Sequence, residues 1–371
     1  MSSPRGRVRS RRKALTVAVA GAASPVGEQV VRAFTAPPPD GQAPTFGKVV
    51  ALDAERGAAD AHWRLVDLVS PALAKALRGV DAVVHVAAST DLASDLTVSP
   101  RTRRERAVLQ VQTLVTAAAA AGVAHLVVVT SAMSYGASPS NPVPLEEDAP
   151  LSAQPDEGLV GDLLAVEHVL ETARTVHPGL TVTVVRPAAL VGPGIDTVLT
   201  RHFEAPRLLT VKSGRPAWQF CHVEDLARAL TVVVEQRLAP VVTVGCVGTL
   251  TQEEVEQVSG MRRVELSDAV ALGTAERLHR VGVLPTPASD LAYAIYPWAV
   301  SSATLTAAGW EPTRDNAACL AELVHSIRGH HAVAARRIDR KDAALGAASA
   351  AVALVGTAAI MRRRRRKGGG A

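Results

Sequence analysis

Through the first half of the chain, short runs of Val, Ala and Leu alternate with longer stretches whose apolar residues recur every third or fourth position. The runs LTVAVAG, KVVALD, DAVVHVAA, HLVVVTS and LTVTVVRP lack a polar alternate face, so they read as strands buried on both sides. Between them, Val26 to Phe34, Pro71 to Leu77, Arg104 to Ala121 and Leu159 to Thr175 carry helical spacing. Buried strands alternating with amphipathic helices predict an α/β fold with a doubly wound parallel sheet over residues 14–194. Ala36 to Phe46, APPPDGQAPTF, is a Pro-rich loop between the first helix and the second strand. Beyond Gly194 the alternation weakens, and residues 195–328 read as a smaller mixed substrate lobe interleaved with the first domain. In doubly wound sheets ligands bind at the carboxyl ends of the strands, where such a lobe would close over them.

Composition changes this picture mainly at the ends. A hydrophobic share of 48% against 20% charged residues describes a chain that folds around a core. The formal charge of +5 is unevenly placed. Residues 1–13 form a basic arm, and residues 329–371 a basic, Ala-rich tail containing RRRRRK, leaving the body between them acidic at about −9. The body therefore offers no compositional basis for nucleic-acid binding. The uncharged run Ala343 to Met361 is long enough to cross a bilayer but only marginally hydrophobic, so a membrane anchor and a surface helix lying on anionic lipid both stay open. Three cysteines without CxxC spacing argue against a disulfide framework or a structural metal site, and fit a cytoplasmic protein, with membrane association through residues 343–367 left open. The sequence leaves the oligomeric state undetermined.

Candidate chemistry begins at VAVAGAASPVGEQVV. Gly21 and Gly27 flank a strand-to-helix turn where a pyrophosphate needs close backbone approach and a helix N-terminus, and Ser24 takes the middle small position. Asp53 ends the second strand, where a carboxylate accepts ribose hydroxyls and repels a 2′-phosphate. NAD is therefore expected over NADP, although Arg56 lies nearby.

With these residues the chain resembles the extended short-chain dehydrogenases/reductases of the NAD-dependent epimerase/dehydratase family, over about Leu15 to Arg328. The resemblance implies a Rossmann-type fold. It matches Gly21, Ser24 and Gly27 to the family's glycine-rich turn, Asp67 of LVDL to its adenine contact, and the stretch from Asp81 to Ala87 and Ala88 to the segment lining the dinucleotide. RPAALVGPG, FCHVEDLARA and AGWEPT match further family segments in order. The resemblance also implies a nucleotide sugar or similar secondary alcohol as substrate.

The family's proton relay consists of a Ser or Thr, a Tyr and a Lys four residues after that Tyr. The tyrosinate exchanges a proton with the substrate hydroxyl, the lysine lowers its pKa, and the serine orients the substrate oxygen. Ser131 of VVVTSAMSYG fills the first role. Setting the active-site helix by its final acid, Glu167, puts Leu163 at the lysine position and Leu159 at the tyrosine position. None of the three tyrosines, Tyr135, Tyr293 and Tyr296, has a lysine four residues on, so no register restores the pair. Ala107 stands where the family carries an asparagine. Substitute proton carriers are few: Tyr135 near Ser131, Asp162 one turn beyond Leu159, and His85 beside the cofactor strand, while His222 is expected at the lobe interface. Two functions remain in view: a divergent NAD-dependent epimerase/dehydratase or oxidoreductase with a non-standard proton donor, and a catalytically inactive NAD-binding sensor or scaffold.

Overall fold

In the computed structural model, which describes residues 14–37, 44–267 and 287–327 with isolated positions at 273–279 and 332–337, the Val- and Ala-rich runs pair in parallel. Their order of appearance is β1 (Leu15–Ala20), α1 (Pro25–Thr35), β2 (Phe46–Asp53), β3 (His62–Leu65), α2 (Leu73–Ala76), β4 (Ala82–Val86), α3 (Leu92–Asp95), α4 (Pro100–Ala121), β5 (His125–Val129), α5 (Leu159–Val176) and β6 (Thr181–Pro187). There follow β7 (Ala189–Val191), α6 (Val198–Glu204), β8 (Leu208–Val211), β9 (Phe220–His222), α7 (Val223–Gln236), β10 (Val241–Val244), α8 (Gln252–Ser259), β11 (Arg263–Leu266), α9 (Ala303–Ala307) and α10 (Asn316–Ser326).

The central sheet has seven strands in the order β10-β6-β5-β4-β1-β2-β3. Strand order reverses between β1 and β4, which opens the crevice typical of doubly wound folds there. Side chains alternate between the two faces as a pleat requires. Val17, Val19, Val127 and Val129 join the core under α1 and α7, while Ala18, Ala20, Leu126 and Val128 join the core under α2, α4 and α5.

All five predicted strands form, and two more extend the sheet. β3, HWRL, was hidden by its half-exposed polar character at the sheet edge. β10, VVTV, lies beyond residue 194 yet pairs with β6, and α7 packs against α1, so the later half of the chain contributes to both layers of the first. The helix predicted from Pro71 shrinks to a single turn at Leu73–Ala76. α4 starts four residues earlier than predicted, because Ser99 caps it by accepting from Thr102 N and Pro100 occupies its first turn. The cysteines, distant in sequence, converge: Cys246 and Cys319 bring their Sγ atoms to 3.6 Å as buried free thiols. No helix among the described residues is long and apolar enough to cross a membrane, and the basic arm and the run Ala343 to Met361 lie outside those residues.

Candidate active site

The cofactor turn is built from its sequence outward. Gly21 leaves β1 at a φ of +85°, a region that favours glycine, and its N–H and that of Ala22 both bond the Leu52 carbonyl. Ser24 caps α1: its hydroxyl donates to the Gly21 carbonyl at 2.7 Å and accepts from Gly27 N at 3.1 Å. A Cβ on Gly27 would stand 2.1 Å from the Gly21 carbonyl oxygen, so only glycine allows the helix to approach the turn this closely. Asp53 Oδ2 accepts from Ala23 N at 3.0 Å and Oδ1 from Ala54 N at 2.8 Å, which fixes the carboxylate beside the turn. The strap Gly192 to Gly194 crosses this region, and a Cβ on Gly194 would meet Pro25 at 2.9 Å. A tight turn, close helix approach and an acid at the next strand end together fit a dinucleotide.

Asp67 lies beyond β3 and, with Val69, Thr102, Glu105, Arg106 and Leu109, lines an open cleft of about 480 Å³ between that loop and α4. One Asp67 oxygen accepts from Val69 N at 3.1 Å. Ala87 and Ala88 both donate their N–H to Val129 O, carrying the backbone of β4 alongside the end of β5. His85 is buried between them and the turn, with Nδ1 3.1 Å from the Ala20 carbonyl, and burial pushes its pKa down. A neutral ring fixed to a backbone carbonyl is a wall of the crevice and a poor proton shuttle.

Ser131 follows β5 at the mouth of the crevice. Its Oγ accepts from Met133 N at 3.2 Å and caps a short 3-10 turn, leaving the hydroxyl proton free to donate. Tyr135, in contrast, is buried beneath that turn. Its hydroxyl donates to the Glu147 carbonyl at 2.8 Å, Arg186 stacks on its ring at 4.7 Å, and burial raises its pKa. This geometry commits the Tyr135 proton to a backbone carbonyl.

The register assigned to α5 has a structural counterpart. Glu167 forms a buried bidentate pair with Arg186, with Nη2 to Oε2 at 2.6 Å, and accepts from Thr130 Oγ1 at 2.8 Å. Leu159 is half-buried and Leu163 buried, and neither can hold a proton. Asp162 is engaged by two arginines of α4. Arg103 Nε reaches its Oδ2 at 2.6 Å and Arg104 Nε its Oδ1 at 2.9 Å, so both carboxylate oxygens are neutralised. The same two arginines donate to the carbonyls of Glu157 and Asp156, tying the chain before α5 to α4. Both carboxylate oxygens of Asp162 are thereby engaged by the protein's own cations. Nothing in the sequence announced this cluster, since its members lie 58 and 59 residues apart. His222 caps α7 by accepting from Glu224 N and meets Glu322 of α10 at 3.0 Å.

Residues 17–245, more than half of the chain, match the family described as the NAD dependent epimerase/dehydratase family. An uncharacterized protein of Mycobacterium tuberculosis is 26% identical over 234 residues, and the match covers 59% of this chain and 60% of that protein. The chain thus spans about 60% of the length of the curated relatives it matches. Among solved structures, the dTDP-glucose 4,6-dehydratase DesIV of Streptomyces venezuelae, crystallised with NAD and TYD, superposes with a TM-score of 0.61 at 22% identity, covering 85% of this chain and 97% of that one. A UDP-galactose 4-epimerase superposes at 0.60 and 18% identity, with coverage of 85% and 99%. These likenesses show a shared Rossmann-type fold. With the sequence match, they establish that this chain belongs to the NAD dependent epimerase/dehydratase family.

Proposed function

We propose that the chain is an NAD-dependent oxidoreductase of epimerase/dehydratase type acting on a nucleotide sugar or a similar secondary alcohol. The observation that carries this reading is the intact dinucleotide cradle opening beside a free Ser131 hydroxyl. The backbone of Gly21 to Gly27 and the N-terminus of α1 receive the pyrophosphate, Asp53 the adenosine ribose, and Asp67 the adenine. Asp53 favours NAD over NADP. When bound, the nicotinamide supplies the hydride acceptor. Ser131 holds the substrate oxygen at the carboxyl end of β5, and residues 195–328 form the lobe that shapes the substrate side. DesIV with NAD and TYD, and MoeE5 with UDP-glucuronic acid and NAD, support the substrate class.

A second reading, an NAD-binding sensor or scaffold without turnover, is favoured by Leu159 and Leu163 and by the arginine-sealed start of α5. Calorimetric titration of the full chain with NAD, followed by cofactor-reduction assays on UDP-glucose, UDP-glucuronic acid and dTDP-glucose, separates the two. The enzyme reading expects turnover that Ser131→Ala lowers by at least about 100-fold, as for a lost transition-state hydrogen-bond donor. Saturable NAD binding with no turnover, in the natural chain and in Leu159→Tyr plus Leu163→Lys, would favour the sensor. For the C-terminal tail we propose contact with anionic lipid through Ala343 to Lys367. Flotation of the full chain with phosphatidylserine vesicles, and its loss in high salt, would check this.

A further inference from the structure

If the chain oxidises an alcohol, the proton that Leu159 cannot take must leave through another group. His85 is a buried wall, Tyr135 is committed to a carbonyl, and Asp162 is sealed by arginines. One further pair stands at the mouth of the crevice. Val86 of β4 lies opposite Val129 of β5, and Ala88 N still bonds Val129 O. Ser89 and Ser131 therefore follow on adjacent strand ends, just past the last rung of the sheet. Ser89 Oγ donates to Asp95 Oδ2 at the end of α3.

The surroundings of Asp95 differ from those of Asp162, its neighbour in charge. Arg103 is close enough to influence it but is engaged with Asp162 and the Glu157 carbonyl, so among the described residues no cation pairs with Asp95. Burial raises its pKa, Ser89 and Arg103 pull it down, and the charges of Asp91 and Asp162 push it up. Asp162, one helical turn beyond Leu159, is among the charges that act on Asp95. A half-buried carboxyl, hydrogen-bonded to a hydroxyl and lacking a cation, has the properties of a general base.

Resting on the oxidoreductase reading above, we propose that Ser89 and Asp95 form the proton relay of this site, in place of the tyrosine absent at Leu159. Ser131 donates to the substrate oxygen. As the carbinol C–H electron pair leaves as hydride to the nicotinamide, the O–H proton passes to Ser89 Oγ while the Ser89 proton passes to the Asp95 carboxylate, and the substrate C–O bond becomes C=O. The reverse reaction returns the proton by the same route. Ser89 is the group that touches substrate, and Asp95 acts through it.

The test uses the full chain with NAD and the probes UDP-glucose and dTDP-glucose, comparing natural protein with Asp95→Asn, Asp95→Glu and Ser89→Ala. The relay expects Asp95→Asn to lower kcat by about 100-fold or more, Asp95→Glu to restore part of it, and Ser89→Ala to fall between. The acidic limb of the natural protein's pH profile should vanish in Asp95→Asn. A readout independent of turnover is the carbon NMR titration of labelled aspartates, where one signal should titrate above the ordinary carboxylate range and be missing in Asp95→Asn. Calorimetric NAD affinity within a few-fold of the natural protein identifies variants that have kept their fold. Turnover and pH profile unchanged in Asp95→Asn overturn the relay alone. A natural protein that binds NAD but turns over neither probe overturns the oxidoreductase reading and the relay with it.

Discussion

Two helices, α1 and α5, begin at the carboxyl edge of the same sheet, and their first turns have been put to opposite uses. At α1 the Ser24 cap, the bare Gly27 and Pro25 leave an N-terminus that a ligand phosphate can approach. At α5 the N-cap Gly158 makes no side-chain capping bond, and the first turn is occupied by the protein's own charges, Asp162 held between Arg103 and Arg104. Gly161 allows that crowding, because a Cβ there would stand 2.1 Å from the Asp156 carbonyl oxygen. The contrast teaches that one sheet edge can carry two kinds of helix start: the first turn of α1 is left open to an outside anion, while that of α5 is closed with internal ion pairs.

The sharpest way to break this contrast is at Gly27. Gly27→Ala should abolish saturable NAD binding by calorimetry, because the methyl group displaces the Gly21 carbonyl from the turn. If NAD binds Gly27→Ala normally, the turn is not the cofactor site. At α5 the expectation is the reverse. Asp162→Asn should destabilise the fold by about 3–5 kcal/mol in denaturant unfolding, since two partly buried guanidinium groups lose their counter-charge. NAD affinity should stay within a few-fold, because the two first turns have no shared partners. A large loss of NAD binding in Asp162→Asn would show the two ends to be coupled through α4.

A smaller effect sets both regions against the rest of the core. His125, at the opposite end of β5, and His202, packed against Phe203 and Trp218 in the lobe, are both pushed down to about 4 by burial. The unfolded chain binds these protons near pH 6.5 and the folded chain only near 4. Their contribution to stability is therefore complete above about pH 6.5 and is lost progressively as pH falls towards 4, by up to roughly 3 kcal/mol for each ring. His125→Gln should flatten the dependence of unfolding free energy on pH over that window. An unchanged slope would remove His125 from this account.

What the sequence made legible was what neighbouring residues decide. The Val-rich strands and the turn from Gly21 to Gly27 are local features, whereas the Glu167–Arg186 pair joins α5 to β6 across nineteen residues. β3 escaped because HWRL is half-exposed at an edge, and β10 because VVTV is short and follows the main alternation. Site residues escaped for another reason. Arg103 and Arg104 have no partner near them in sequence that would mark a site, and only the packing of α4 on α5 turns them onto Asp162. Ser89 and Asp95 match no spacing rule, and the fate of the Tyr135 hydroxyl depends on a carbonyl twelve residues away.

The Gly192 to Gly194 strap joins these threads. It leads into the lobe, yet Gly194 rests against Pro25 at the head of the cofactor helix, and a Cβ on Gly192 would strike Val223 Cγ1 at 2.2 Å, at the start of α7. The strap therefore adds to the packing of α7 on α1 a further contact between the dinucleotide turn and the later half of the chain. Any lobe ligand that shifts this contact must, by reciprocity, change dinucleotide affinity by the same factor as the dinucleotide changes its own.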